Sequence, residues 1–236
     1  MSKRPRLLAI VGLLGLGAAV AVSTALTVAG DGTDPRCPDD AYGCATFLPG
    51  EAVRVALLAT RTRADDVTAV EARRGARLAI EAHGSRLAGR PLDLLVRTPD
   101  CSALGATRGA RELASDPPFE PPVVAVVGVT CPAALQPAVQ ILSDSGVAYV
   151  TATPGDVAFT DPPRSFLARP PVGEPDRRFR RLYRARYGDG PPDAPAWVAY
   201  SLTRRIVAAA ERLATPGSKG SLLVPRSPLH RALAAA

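Results

Sequence analysis

The chain has 236 residues, of which 47% are hydrophobic and 22% charged, and this balance excludes a disordered chain or a coiled coil. Its 29 basic residues outnumber 22 acidic ones, but nearly all are arginines and 24 prolines accompany them. The excess therefore reflects an Ala/Arg/Pro-rich composition as much as an anionic partner.

The N-terminus has the pattern of an export signal. Lys3, Arg4 and Arg6 precede a stretch from Leu7 to Ala29 that contains no charged residue. This stretch is longer than the roughly 7–15 apolar residues of a cleaved signal and close to the ~20 that span a bilayer. We therefore predict that residues 1–30 are either a cleaved signal peptide or a membrane anchor. The positive-inside bias places the rest of the chain outside the cytoplasm, in the periplasm or at the cell surface.

Four cysteines in an exported chain predict disulfides, for which three pairings are possible. Cys37 and Cys44 lie in the Pro/Asp/Gly-rich segment CPDDAYGC, where a short loop closes easily. This favours a Cys37–Cys44 bond and leaves Cys101 with Cys131. With only two histidines in the chain, a histidine-rich metal site is excluded and no metal is expected. We predict that residues 31–50 form a cysteine-containing linker.

From Glu51 onward, predicted strands and helices alternate. In chain order they are a strand at 53–58, a helix at 67–82, a strand at 92–96, a helix at 102–114 with Ser102 as its N-cap, a strand at 123–127, a helix at 132–143 and a strand at 147–151. The nearly all-apolar strands indicate a parallel sheet covered on both faces. The sequence therefore predicts an α/β fold with αβα layers. Right-handed crossovers gather the strand ends and helix starts at one edge, where such sheets bind ligands.

The alternation stops after Thr153, in a proline-rich stretch that continues to Pro175. Within this stretch we predict one short strand at 165–169, and after it four further elements. They are a helix at 176–187, a helix at 195–213, a strand at 221–226 and a short helix at 228–235.

The helix at 176–187 carries the densest charge run of the chain. Its basic residues are Arg177, Arg178, Arg180, Arg181, Arg184 and Arg186. Such a run occurs in proteins that bind nucleic acid or anionic lipid. On a helical wheel, however, four of the arginines share one face opposite Phe179, Leu182 and Tyr183, which is typical of a solvated amphipathic helix. Without interleaved stacking aromatics, a solvated face is favoured over nucleic acid, and anionic lipid is a lesser alternative.

The sequence contains no recognisable catalytic motif. There is no GxSxG nucleophile motif and no phosphate-binding loop. Adjacent acids such as Asp65 and Asp66 diverge on a helix, so they share no acid/base geometry. We expect neither an enzyme nor a cofactor.

Several segments of the chain carry a family resemblance. They are EAVRVALLAT, GARLAIEAHGSRLAGRPLDLLV, PDCSALGATRGARELASDP, VVAVVGVTCPAALQPAVQILSDSGVAYVTATPGDVAFT, FRRLYRARYGDGPPDAPAWVAYSLTRRIVAAAERL and GSLLVPRSPLHRALAAA. In this order they resemble the substrate-binding proteins of branched-chain amino-acid ABC importers, which have the type I periplasmic binding protein fold. The resemblance also implies a Cys101–Cys131 disulfide, and CPDDAYGC is similar to a cysteine pair that precedes the domain in some members.

The resemblance implies one lobe rather than two. Residues 51–169 correspond to a first lobe, 176–236 to the helices and strand that complete it, and 170–175 bridge directly where family members insert a second lobe. It further implies a small polar solute such as an amino acid, the membrane subunits of an ABC importer as partners, and no nucleic acid. A lone lobe exposes apolar cleft surface, so a homodimer is also expected.

The same resemblance places half of a ligand site after the third and fourth strands of the alternating region. The candidate ligand-binding residues are Pro132, Ala133, Thr151, Thr153 and Gly155. Pro132 has no side-chain donor and no N–H, and Gly155 offers only backbone. The two threonines remain as hydroxyls, and the helix start near Ala133 is a weak anion seat. The expected function is weak solute binding, with a membrane-tethered interaction or structural lobe that binds no small ligand as the alternative.

Overall fold

A mainly parallel sheet between two layers of helices organises the protein. The structure, a computed structural model, describes residues 37, 40, 42–61, 66–114, 122–153, 155, 166–188 and 194–235. The strands of this part are β1 (Cys44–Phe47), β2 (Val53–Ala59), β3 (Arg86–Leu87), β4 (Arg90–Arg97), β5 (Val123–Val129), β6 (Ala148–Thr151), β7 (Leu167–Ala168), β8 (Thr215–Pro216) and β9 (Leu222–Pro225). The helices are α1 (Asp66–Ala82), α2 (Ala103–Ala114), α3 (Pro132–Asp144), α4 (Arg177–Tyr187), α5 (Ala194–Leu213) and α6 (Arg226–Ala234).

The main sheet has the order β3-β4-β2-β5-β6-β7 and is parallel except for β3, which pairs antiparallel with β4. Both of its faces are covered. Val55 and Leu57 of β2 belong to a core cluster with residues of α1, α5 and α6, whereas Ala56 and Leu58 belong to a second cluster with residues of α2 and α3. This alternation explains the nearly continuous apolar run of β2. The predicted α/β class with three αβα layers is confirmed.

A second, antiparallel sheet in the order β1-β9-β8 was not foreseen by the sequence patterns. β1 lies within the segment predicted as a linker, and it pairs with β9 from Cys44 opposite Pro225 to Phe47 opposite Leu222. Phe47 is fully buried in the core. The pairing joins residues far apart in the chain, so local periodicity carries no signal for it.

The direct connection between β7 and α4 is fixed against α5. Arg205 donates from Nη2 to the Pro171 carbonyl at 2.7 Å, and Trp197 donates from Nε1 to the Gly173 carbonyl. Asp176 then caps α4, accepting a hydrogen bond from the Phe179 amide at 2.6 Å. The 170–175 segment therefore forms an ordered part of the lobe surface.

The apolar stretch from Leu7 to Ala29, predicted as a signal or anchor, lies outside the described residues. Among the helices that the structure does describe, none is long and apolar enough to cross a membrane.

We expect His230 to make the stability of this lobe depend on pH. Its ring lies 4.9 Å from the Phe166 ring, with Nε2 3.4 Å from the Leu167 carbonyl oxygen. Burial lowers the pKa of His230 below its ordinary value of 6.5, although the Leu167 carbonyl acts in the opposite direction. The unfolded chain therefore binds a proton at His230 more readily than the folded chain does. The contribution of neutral, buried His230 to the free energy of unfolding is fully present above pH 6.5 and is lost as the pH falls below that value.

We expect the wild-type melting temperature to fall more between about pH 7.5 and about pH 5.5 than that of His230→Gln, which cannot titrate there. Thermal unfolding followed by circular dichroism measures both. Parallel pH profiles would show that His230 does not couple to folding.

Candidate ligand-binding edge

The carboxyl ends of β2, β5 and β6 meet at one edge of the main sheet, and a threonine follows or ends each strand. Thr60 follows β2, Thr130 follows β5 and Thr151 ends β6. The Thr60 amide donates to the Val129 carbonyl at 3.1 Å, and Thr60 Oγ1 accepts from the Cys131 amide at 2.9 Å. The loops that follow β2 and β5 are therefore hydrogen-bonded to each other beyond the last residues of the two strands.

The predicted pair Thr151 and Thr153 lies at this edge, with both hydroxyl protons engaged within the protein. Thr151 is fully buried, and its Oγ1 donates to the Gly128 carbonyl at 2.8 Å. Thr153 Oγ1 donates to the Thr130 carbonyl at 2.9 Å, while its amide donates to Thr151 Oγ1 at 3.0 Å. Thr153 Oγ1 also lies 3.0 Å from Thr151 Oγ1. A hydroxyl has one proton and two lone pairs, so what half-buried Thr153 retains for a ligand is its remaining acceptor capacity.

Tyr149 of β6 contacts the edge from inside the core. It is fully buried, and its hydroxyl lies 2.9 Å from Thr130 Oγ1. Burial raises the pKa of Tyr149, so the phenol stays protonated at neutral pH. Gly128 leaves room for this ring, because a Cβ there would overlap the phenol oxygen and lie 2.7 Å from Cε2.

Pro132 and Ala133 are exposed at the start of α3. Cys131 is the N-cap residue and makes no side-chain capping bond, and the Ala134 amide donates to the Cys131 carbonyl at 3.0 Å. Because Pro132 has no N–H, Ala133 supplies the first amide donor of the helix. The helix dipole adds partial positive charge at this position.

Gly155 is exposed, and its carbonyl accepts a hydrogen bond from Arg169 Nη2. The neighbouring residues 154 and 156–165 lie outside the described residues, as do residues 62–65 after β2.

The two disulfides join the cysteines that the sequence pairs, Cys37 with Cys44 and Cys101 with Cys131. The Cys101–Cys131 bond ties the loop after β4 to the start of α3. Next to it, the Cys101 amide donates to the Arg61 carbonyl at 2.9 Å. Ser102 Oγ accepts from the Gly105 amide at 2.9 Å, which confirms the predicted N-cap of α2. The disulfide and these bonds hold three loops of the edge together.

Thr60, Thr130 and Tyr149 belong to the edge, although sequence reasoning did not select them. Thr60 and Thr130 carry the same signal as Thr151, a hydroxyl at the end of an apolar strand, and that signal was sufficient to find them. Tyr149 carried none, because a tyrosine inside a strand is usual in any core.

A buried carboxylate lies away from this edge. Glu71 of α1 is buried, accepts a hydrogen bond from the Tyr183 hydroxyl of α4 and pairs with Arg74. Burial and the Glu71 hydrogen bond raise the pKa of Tyr183 to about 12. Each group is satisfied by the others, so the cluster joins α1 to α4 without a free acid or base. In the part of the chain that the structure describes, no group of three or more His, Cys, Asp or Glu residues could hold a metal ion.

Solved structures are similar to this chain to different extents. A candidate branched-chain amino acid ABC transporter from Rhodospirillum rubrum is 16% identical, with a TM-score of 0.60, and the match covers 78% of this chain and 89% of that one. A solute binding protein of an ABC transporter from Rhodopseudomonas palustris BisB5, solved with 3,4-dihydroxy benzoic acid, is 20% identical, with a TM-score of 0.42 and coverage of 50% and 31%. The substrate binding protein LivJ from Streptococcus pneumoniae, solved with isoleucine, is 15% identical, with a TM-score of 0.41 and coverage of 50% and 33%.

This chain therefore spans about a third of the length of the latter two proteins. No protein-family model and no curated protein matches it in sequence. The fold is that of a single lobe of a type I periplasmic binding protein. The resemblance read from the sequence is confirmed at the level of the fold.

Proposed function

We propose that this protein is an extracytoplasmic solute-binding module that binds a small polar solute, such as an amino acid, at the carboxyl edge of its main sheet. The observation that carries the proposal is the convergence of Thr153 and the start of α3 at the edge where open α/β sheets bind ligands. The Ala133 amide donates to a ligand carboxylate, and Thr153 Oγ1 accepts from a ligand ammonium group.

Binding of this kind is weak. The direct connection from β7 to α4 contains no inserted lobe to enclose the ligand, and enclosure supplies most of the buried area in small-molecule sites. Both threonine protons are already bonded to backbone carbonyls. The edge therefore recognises a solute through one amide, one acceptor and the helix dipole.

The proposal places the lobe at the outer face of the cytoplasmic membrane, anchored by residues 7–29 or released after cleavage. Its partners are the membrane subunits of an ABC importer or a second copy of this chain. The two disulfides support an oxidising compartment. The solved structures that share the fold are transport proteins by name, which favours binding over catalysis.

We expect a specific solute to raise the melting temperature of the oxidised protein in a panel of amino acids and small polar solutes. A ligand at a hundredfold excess over its Kd stabilises the native state by about 2.7 kcal/mol, or roughly 5–10 °C for a chain of this size. Thr153→Ala should lose the shift. Thr215→Ala, which removes an exposed hydroxyl in β8, should keep it.

A second candidate function is a membrane-tethered interaction or structural lobe without a small ligand. It is favoured by Pro132 at the start of α3, which removes an amide donor, and by the engaged protons of Thr151 and Thr153. A flat panel from a cooperatively folded protein would select this function and reject solute binding.

A further inference from the structure

One face of α4 carries an uninterrupted stripe of positive charge. Arg177, Arg180, Arg181 and Arg184, which we call the arginine stripe, follow the i, i+3, i+4, i+7 spacing that places residues on one helix face, and all four are exposed. The opposite face is apolar, and Phe179, fully buried, packs against Trp197 and Tyr200 of α5. The stripe therefore points away from the core on a helix whose other side is fixed.

The stripe opposes the stability of its own helix. Like charges three and four residues apart repel each other, and positive charge in the first turn opposes the helix dipole. No acidic residue lies in that first turn, and the N-cap carboxylate of Asp176 is already bonded to the Phe179 amide and lies 3.8 Å from Arg204. Within the described residues, no ion pair is formed by Arg177, Arg180 or Arg181. Arg186, on the same helix but outside the stripe, does have an acidic neighbour, with Nε 3.6 Å from Glu81 Oε2.

The positive surface continues beyond the stripe. Arg178, on the adjoining face of α4, lines a groove of about 470 Å³ together with Arg204 and Arg205 of α5. Arg205 is fixed by its hydrogen bond to the Pro171 carbonyl, and Arg204 lies 3.8 Å from the α4 cap Asp176. The basic surface is therefore built from two packed helices and is held in a defined shape.

The surroundings of the stripe favour a surface of anionic headgroups over a single-stranded nucleic acid. Single-stranded nucleic acids use aromatic platforms on which bases stack. Here Phe179, Tyr183 and Trp197 are buried, and the half-buried Tyr187 ring is approached by the guanidinium groups of Arg74 and Arg186. Anionic lipid requires only clustered positive charge near the membrane surface.

The uncharged stretch near the N-terminus is a second reason to consider a bilayer as the partner of the stripe. If the uncharged stretch from Leu7 to Ala29 is retained, the 14 residues from Gly30 to Gly43 connect it to β1. The Cys37–Cys44 disulfide holds the Cα atoms of these two residues 6.1 Å apart, so the connection reaches at most roughly 35 Å. We propose that the arginine stripe binds the anionic headgroups of a lipid bilayer, which supply negative charge to Arg177, Arg180 and Arg181.

The test compares binding of the full chain to two kinds of vesicle, neutral phosphatidylcholine and the same lipid with about 30 mol% phosphatidylglycerol. The ratio of the two partition coefficients separates headgroup charge from insertion of the apolar stretch, which contributes to both. We expect the triple variant Arg177→Gln/Arg180→Gln/Arg181→Gln to lower this ratio by about 100-fold, roughly fivefold for each arginine. The same variant should melt at an equal or slightly higher temperature, since it removes repulsion.

A matched control removes the same charge elsewhere. Arg73→Gln/Arg108→Gln/Arg212→Gln replaces three exposed arginines on α1, α2 and α5, and its ratio should stay within about threefold of wild type. Equal losses in both triple variants would overturn the proposal, because they would show a response to net charge alone. A wild-type ratio near one would also overturn it. Tighter binding to a DNA duplex than to the anionic vesicles, at equal phosphate concentration and salt, would assign the stripe to nucleic acid instead.

Discussion

Gly75→Ala is expected to destabilise the lobe by about 3 kcal/mol, which lowers the melting temperature by roughly 6–12 °C. Gly75 lies in α1, against the backbone of Ala196 near the start of α5. A Cβ at this position would overlap the carbonyl oxygen of Ala196. It would also lie 2.6 Å from the carbonyl carbon and 2.9 Å from the Cα of Ala196. These are backbone atoms, so α5 must move as a whole. Helix propensity alone would favour alanine by about 1 kcal/mol, and the clash exceeds that gain.

Gly173→Ala is the matched control. It makes the same chemical change in the segment that packs on α5, but no atom lies within 4 Å of the added Cβ. We expect a change of less than about 0.5 kcal/mol there. Chemical denaturation of wild type and both variants measures the free energies of unfolding. If Gly75→Ala is as stable as wild type, the close α1–α5 contact is wrong.

Most of the alternating half of the fold was predictable because each of its elements carries a local signal. β2 and β5 are continuous apolar runs, which are typical of strands covered on both faces, and Pro132 marks the start of α3. β1, β3 and β8 were not predicted. β3 and β8 have two residues each, too few for a periodic pattern, and β1 is stabilised by pairing with β9 at the other end of the chain.

The candidate edge was predictable in position but not in its internal bonding. Topology alone places Thr151 and Thr153 at the carboxyl edge. That both hydroxyls donate to backbone carbonyls depends on the close approach of the β5 and β6 ends, with Gly128 opposite Thr151 in the sheet register. A sequence shows that a hydroxyl is present, whereas only the folded chain shows where its proton goes.

Replacing the Cys101–Cys131 disulfide, by Cys101→Ser with Cys131→Ser, is expected to cost about 3–4 kcal/mol of unfolding free energy. The bond closes a loop across a sequence separation of 30 residues, and the cost reflects the chain entropy that the unfolded state regains. The loop contains α2 and β5, so opening it frees a central part of the fold. Denaturant unfolding of the variant against oxidised wild type measures the loss.

The other disulfide provides an internal comparison. Cys37 and Cys44 are separated by 7 residues, so Cys37→Ser with Cys44→Ser should cost less, about 2 kcal/mol. The two losses also differ in what they affect. The Cys101–Cys131 bond links two loops of the candidate ligand edge, so its removal should abolish any solute-dependent shift in melting temperature, while the Cys37–Cys44 variant retains it. Equal stability losses, or an unchanged solute response without the Cys101–Cys131 bond, would show that this disulfide does not organise the edge.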